Sequence, residues 1–203
     1  MAASKLNKRE QQRIETRQKI YDTAMDLFSR KGYTKVSVSD ICGKAGVSKG
    51  TFYYYFDSKD QIFLEEYLKI DDFFVTKIEE LESKYKSPTK RLVAFTIAGF
   101  AYMDKLGLKI TKVIWHGEID PATRRKGMAN PRRPIYAILE RMMREGQEKG
   151  ELRRDVSAAT LTQLFVRCYR GIIYEWCLQN GKFDLVEACG EFTKLVIEGF
   201  KKQ

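Results

Sequence analysis

A single histidine, His116, serves the whole 203-residue chain. One imidazole cannot build a multi-histidine metal site, and it has no partners around it that would make a triad. Glycine-rich phosphate loops are also missing, as are His/Cys/acidic clusters at metal-ligand spacing. An enzyme would therefore need an unusual helical site, and neither a metal nor a cofactor is expected. The four prolines and the lack of any low-complexity tract exclude a long flexible linker. Long apolar runs are missing too. The most nearly apolar stretch, Phe95 to Met103, is about half of what a bilayer span needs. No charged-then-apolar leader precedes it, so a cytoplasmic protein with no membrane partner is expected. The four cysteines, Cys42, Cys168, Cys177 and Cys189, show no close pairing. Cys168 and Cys177 fall on opposite faces of one predicted helix at ~100° per residue, so they cannot bridge within it. Buried thiols in a reducing compartment are the reading, with a redox sensor as the alternative.

Charge is present in excess. Thirty-seven Lys and Arg against 27 Asp and Glu leave a formal +10. Residues 1–20 hold Lys5, Lys8, Arg9, Arg13, Arg17 and Lys19 against only Glu10 and Glu15, a net +4 in a tenth of the chain. Such a segment is either a basic arm for a polyanion or a solvated, disordered tail.

Helical periodicity covers almost everything else. Ile20, Ala24, Leu27 and Phe28 predict a helix from about 15 to 31, stopped by Gly32. Ser37 caps a second helix with the buried stripe Val38, Ile41, Cys42 and Ala45. Gly46 turns the chain, and Ser48 caps a short third helix ending near Phe56. Ser58 and Gln61 have capping-box spacing and open a long helix, with Phe63, Tyr67, Ile70, Phe74, Ile78 and Leu81 on its stripe. Further helices are predicted at about 89–106, 108–117, 133–149, 157–180 and 184–201, with a loop between Gly117 and Pro134. No run alternates as a strand and no internal repeat is visible, so the fold class is all-α.

The third helix carries the chemistry. At ~100° per residue Phe52 and Phe56 share one side, while Gly50, Thr51 and Tyr54 point the other way and Tyr53 and Tyr55 flank them. Three adjacent tyrosines on a short helix cannot all be buried, and exposed aromatics need a reason. A helix-turn-helix entering a DNA groove supplies one. Ser48 and Lys49 would present the helix N-terminus to base edges or a phosphate. Gly50 permits close backbone approach, and Thr51 can reach a phosphate or a thymine methyl. The tyrosine hydroxyls can bond phosphates, and Lys59 can neutralise one. The bland alternative is a helical hairpin with an aromatic patch for another protein.

The block Gly46-Val47-Ser48-Lys49-Gly50-Thr51-Phe52-Tyr53-Tyr54-Tyr55-Phe56, followed by Lys59, closely resembles the recognition helix of the TetR family of bacterial transcriptional regulators. The resemblance extends over the whole chain. It implies an N-terminal three-helix helix-turn-helix DNA-binding domain, 1–58, and a C-terminal helical bundle for dimerisation and ligand binding, 59–203. By analogy Ser37, Ser39, Lys49, Thr51, Tyr53, Tyr54, Tyr55 and Lys59 occupy DNA-contacting positions. Ser39 departs from relatives that often carry arginine or another long polar residue there, and it reaches less far. Cys42 stands where alanine is usual.

Tyr169 to Trp176, Asn180-Gly181 and Phe183-Asp184-Leu185 resemble the family's last two helices, which form a four-helix bundle with a second subunit. Leu161, Leu164, Phe165, Cys168, Ile172 and Trp176 share one stripe; Leu185, Cys189, Phe192, Val196 and Phe200 share the next. Ile173, Leu195 and Ile197 lie off those stripes and leave apolar surface for a second face. The expected homodimer interface is Leu164, Cys168, Ile172, Trp176, Phe192, Val196 and Phe200. Family analogy also implies an inducer pocket, for which Phe95, Phe100, Tyr102, Met103, Trp115, His116, Tyr136 and Phe165 are candidates, with an apolar or aromatic effector. The leading reading is a ligand-responsive repressor on a palindromic double-stranded operator. A ligand-independent nucleoid-associated protein of the same fold and a small helical enzyme are the alternatives.

Overall fold

Residues 7–119 and 130–201 are described by a computed structural model. They form the helices α1 (Lys8–Lys31), α2 (Val38–Ala45), α3 (Lys49–Tyr55), α4 (Lys59–Lys84), α5 (Pro88–Leu106), α6 (Leu108–Ile119), α7 (Pro134–Glu148), α8 (Ala158–Leu178) and α9 (Leu185–Phe200). The only extended pairing among the described residues is an isolated bridge between Leu152 and Lys201. None of the described helices is long and apolar enough to cross a membrane. The connection expected between Gly117 and Pro134 falls mostly outside the described residues.

Caps decide where most helices begin. Ser37, Ser48, Ser87, Ser157 and Asp184 each accept a backbone N–H from the first turn they precede. Pro88 and Pro134 occupy first-turn positions where a missing N–H costs nothing. Gly46 ends α2 in the left-handed region (φ 66°, ψ 39°), where an L side chain would cost roughly 1–2 kcal/mol. That conformation turns the chain sharply enough to bring α3 across α2.

Two expectations about helix starts need correction. α1 begins at Lys8, not near Glu15, because Asn7 and Glu10 close a reciprocal capping box. Residues 8–20 are therefore the first turns of α1 and not a loose arm. At α4 the Ser58–Gln61 box does not form: Ser58 is fully extended and makes no side-chain cap bond. The Gln61 side-chain oxygen instead accepts the Asp57 N–H.

The head is a three-helix unit around Ile20, Phe28, Ile41, Phe52 and Phe56, all at most 1% exposed. Asp26 of α1 ties α2 down by pairing with Lys44. The 26-residue α4, ~39 Å long, leaves this head and becomes a wall of the body. Its Ile62, Ile70, Phe74, Ile78 and Leu81 belong to one apolar cluster that runs continuously from the head into α5, α7 and α8. The side chains of Phe63 and Tyr67, expected on the same stripe, lie outside the described residues. A second cluster packs Phe100 and Met103 against Ile173, Trp176, Leu185 and Cys189.

All four cysteines are free thiols; Cys42, Cys177 and Cys189 are buried and Cys168 is half-buried. Burial pushes the Cys177 thiol up to about 11 and raises Cys42 and Cys189 as well. Burial of this kind disfavours the thiolate and makes those three thiols poor nucleophiles.

Candidate functional site

The helix α3 separates its anchors from its outward face. Phe52 is fully buried and Phe56 nearly so, while Tyr53 and Tyr54 are 52% and 63% exposed. Tyr55 is half-buried against the head core and meets Tyr54 edge-on, with ring centroids 4.9 Å apart. Lys49 and Gly50 are exposed. The Ser48 hydroxyl accepts the Thr51 N–H at 3.0 Å and lies 2.9 Å from the Thr51 hydroxyl. The two hydroxyls thus prearrange each other at the helix N-terminus, where free N–H groups and the helix dipole favour an anion.

Ser37 and Ser39 sit on the neighbouring helix with different freedom. The Ser37 hydroxyl caps α2 and is shared with the Asp40 carboxylate. Those hydrogen bonds hold the Asp40 carboxyl below its ordinary range. Ser39 is exposed and short. Lys59, expected on a phosphate, donates to the carbonyls of Tyr33 and Val36 at 3.0 and 2.9 Å. Its ammonium also lies 4.2 Å from the Tyr33 ring centroid. At least two of its donors thus clamp the start of α4 onto the turn between α1 and α2.

Two basic residues join this face that a side-chain wheel of α3 cannot reveal. Arg13 lies over the Tyr54 ring at 5.5 Å, and Arg17 over Phe56 at 5.0 Å while pairing with Glu65 of α4. The placement of Arg13 follows from the early start of α1, so the Asn7-x-x-Glu10 box was the sequence signal for it.

The body holds a second feature, an apolar cavity of about 60 Å³ walled by α4, α5, α6, α7 and α8. Of the expected pocket residues, Phe95, Met103, Trp115, Tyr136 and Phe165 line it. Phe100 and Tyr102 do not. Phe100 is fully buried against Tyr169, and Tyr102 stacks on Phe73; both centroid distances are 4.4 Å. Helical phase turns both rings into neighbouring packing layers. The side chain of His116 lies outside the described residues.

Sequence reading missed Ile70 and Phe74 of α4, Arg133 of α7, and Tyr169 and Arg170 of α8, all of which line the cavity. Arg133 is paired with Asp71, and Arg170 donates to the Tyr136 hydroxyl at 2.7 Å. The Tyr169 hydroxyl and Trp115 Nε1 are buried without a hydrogen-bond partner among the described residues. Burial drives the Tyr169 phenol strongly upward, keeping it a neutral donor. Gly99 makes this arrangement possible: a Cβ there would lie 2.8 Å from the Tyr169 hydroxyl and 3.0 Å from the Phe74 ring. Among the described residues no group of acidic, His or Cys side chains could hold a metal ion.

The outer face of α8 and α9 is the third feature. Leu164 (39% exposed) and Leu195 (73%) point outward. A shallow groove runs between Cys168 and Ile172 on one helix and Ala188 and Phe192 on the other. Val196 and Phe200 are half-buried against the protomer's own core. Trp176, expected at an interface, is a correction: it is 5% exposed and donates its indole N–H to the Phe183 carbonyl at 3.2 Å. Ile173 and Ile197, taken as surplus, are core residues at 1% and 3% exposure. The buried face of α8 takes in Thr162, Val166, Ile173 and Cys177 beside Leu161, Phe165 and Trp176, about one residue round from the expected stripe.

Residues 20–65 match the family described as "Bacterial regulatory proteins, tetR family", and residues 69–199 match the one described as "YsiA-like protein, C-terminal region". The second match alone spans more than half of the chain. The fatty acid metabolism regulator protein of Bacillus subtilis is 25% identical over 190 residues, covering 89% of this chain and 93% of that protein. The solved FadR of Bacillus subtilis in complex with stearoyl-CoA superposes with a TM-score of 0.72 at 21% identity, over 90% of this chain and 98% of that one. Thermus thermophilus FadR, described as a transcriptional repressor in complex with lauroyl-CoA, gives 0.66 at 21% identity, over 92% and 96%.

Proposed function

This chain belongs to the TetR family of DNA-binding transcriptional regulators, not enzymes, and from that premise we propose that it is a homodimeric repressor released from a palindromic operator by an apolar effector. The observation that carries the reading is the double use of α4. One end is clamped to the head through Lys59, through the Arg17–Glu65 pair and through Lys69 over the Tyr21 ring at 3.7 Å. Further along the same helix, Ile70 and Phe74 form a wall of the cavity. An effector that prefers a wider cavity must displace α4, and α4 carries the head with it. A coupling of roughly 1–3 kcal/mol is enough for regulation.

On this reading the head is residues 1–58, and the operator meets Ser48, Lys49, Gly50, Thr51, Tyr53 and Tyr54. Arg13, Ser37, Ser39, Tyr55 and Lys59 stand at the edges of that contact. The outer face of α8 and α9, centred on Leu164, Cys168, Ile172 and Phe192, is the two-fold interface. It would set the two heads to read half-sites about 34–36 Å apart or a multiple of that. The effector is a long-chain acyl thioester of coenzyme A. The apolar cavity wall supports this choice, as do the acyl-CoA ligands of the two FadR structures.

The test is to select bound fragments from genomic DNA and then titrate lauroyl-CoA and stearoyl-CoA into the complex. The expected result is release by both at concentrations that leave the protein folded. Binding that stays unchanged with either thioester, at many unrelated chromosomal sites, would replace this reading with the ligand-independent architectural one.

A further inference from the structure

The cavity is mostly apolar, and Arg133 in its wall is held by a carboxylate from another helix. Arg133 Nε lies 3.1 Å from both oxygens of Asp71, and a terminal guanidinium nitrogen lies 2.8 Å from Oδ1. Both residues are nearly buried, at 7% and 8% exposure. Asp71 lies on α4 next to the cavity residue Ile70, and Arg133 is the N-cap residue of α7. The pair therefore joins the helix that carries the head to α7, a neighbouring wall of the cavity. Arg170, a second guanidinium, lines the same cavity.

Stability does not account for this pair. Burying two opposite charges costs about as much as their attraction returns, and apolar residues of the same volume often stabilise a core equally well. Taking the guanidinium away is costly, because the Asp71 carboxylate is then left buried without its charged donor. Those are the properties of a latch. A ligand carboxylate or phosphate has the same charge and forked geometry as Asp71 and can replace it on Arg133.

We propose that Arg133 is an anion-recognising subsite, that Asp71 occupies it in the ligand-free protein, and that an apolar chain bearing an anionic group displaces Asp71 and thereby frees α4. The inference rests on the effector-released reading above and assigns its ligand class and its latch. The cavity walls bind the chain and Arg133 selects the anion. The stranded Asp71 carboxylate then drives α4 away from α7 to regain water, which makes the ligand prefer one conformation over the other.

The experiment measures calorimetric binding of dodecanoate, of dodecanol as its uncharged counterpart, and of lauroyl-CoA. The proteins are the wild type, Asp71→Asn, Arg133→Met and the double variant Asp71→Leu/Arg133→Met. Dodecanoate should bind the wild type more tightly than dodecanol does. Asp71→Asn removes the internal competitor and should tighten dodecanoate about tenfold, within the usual range of couplings, with little change for dodecanol. Arg133→Met and the double variant should lose most of that preference, Arg170 being left in place in both. The double variant restores an apolar contact, so it decides the matter should a single variant unfold. Equal affinities for dodecanoate and dodecanol in the wild type would overturn the proposal. So would an unchanged or weaker dodecanoate affinity in Asp71→Asn, or an undiminished anion preference in the double variant. If lauroyl-CoA fails to release DNA while dodecanoate keeps its Arg133-dependent preference, the acyl-CoA reading falls and the subsite stands. If lauroyl-CoA releases DNA while Asp71→Asn has no effect, the subsite falls and the acyl-CoA reading stands.

Discussion

The outward face of α3 and the lining of the cavity use the same kinds of side chain for opposite ends. On α3, Tyr53 and Tyr54 stand in solvent while Phe52 and Phe56 hold the helix. In the body, Tyr169 and Trp115 are turned inward, and their polar atoms have no hydrogen-bond partner among the described residues beside an apolar space. Exposure of an aromatic costs solubility, whereas burial of an unpaired hydroxyl or indole N–H costs desolvation. On the proposed function each cost is offset when a partner arrives, a DNA groove in the first case and a ligand with an acceptor in the second. Helical phase, more than residue type, decides which of the two a given ring becomes.

Substitutions can break this contrast, beginning with the anchors. Phe52→Ala should destabilise the head by about 3–5 kcal/mol, because the site is fully buried between helices that cannot close over the void. Tyr54→Ala, two residues away, should leave stability within about 0.5 kcal/mol while narrowing the preference for operator over random DNA. Denaturant unfolding beside operator and random-DNA titrations reads both, and equal destabilisation would erase the distinction between anchor and reader.

Gly99→Ala tests the cavity side. The new methyl meets the Tyr169 hydroxyl and Phe74 at distances that force movement, at a cost of about 1–3 kcal/mol. It should weaken lauroyl-CoA binding without altering affinity for operator measured in the absence of ligand. Loss of operator affinity alone would remove Gly99 from the ligand account.

Ser48→Ala is expected to cost about 1 kcal/mol through loss of the α3 cap. It should also lower DNA affinity by freeing Thr51 from its neighbour. A DNA affinity that falls no further than the thermal stability explains would limit Ser48 to capping.

The smallest effect is in the pH dependence of the head. Hydrogen bonds from Ser37 lower the Asp40 pKa, and those from Lys44 and then Arg30 lower that of Asp26. Both carboxyls therefore stabilise the folded state above the unfolded aspartate value of about 3.9, and that contribution is lost as pH falls below it through their lowered folded values. Denaturation midpoints should hold from neutral pH down to about 5 and fall below about 4, with Asp40→Asn flattening part of the fall. An identical acid limb in Asp40→Asn would place the titration elsewhere.

Much of the fold was legible because its punctuation is local. Ser37, Gly46 and Ser48 each act within one turn of where they stand, so both ends of α2 and the start of α3 could be read directly. The start of α1 was just as local, but its signal, Asn7 with Glu10, sat inside a charge run that read as an arm. Trp176 and Ile173 are both core residues, which the pattern could not show because an apolar stripe does not say which of two partners it faces. Arg133 and Arg170 were invisible as cavity residues for a different reason. Charged side chains default to the surface unless a distant partner holds them, and Asp71 is far from Arg133 in sequence.

The central claim, that α4 transmits cavity occupancy to the heads, has one direct measurement. A genetically encoded spin label at position 43, exposed and free of neighbours at its Cβ, reports the distance between the two heads of a dimer by pulsed electron resonance. The account predicts that saturating lauroyl-CoA moves this distance distribution away from the one seen on operator DNA. Release of DNA with an unchanged distribution would contradict it.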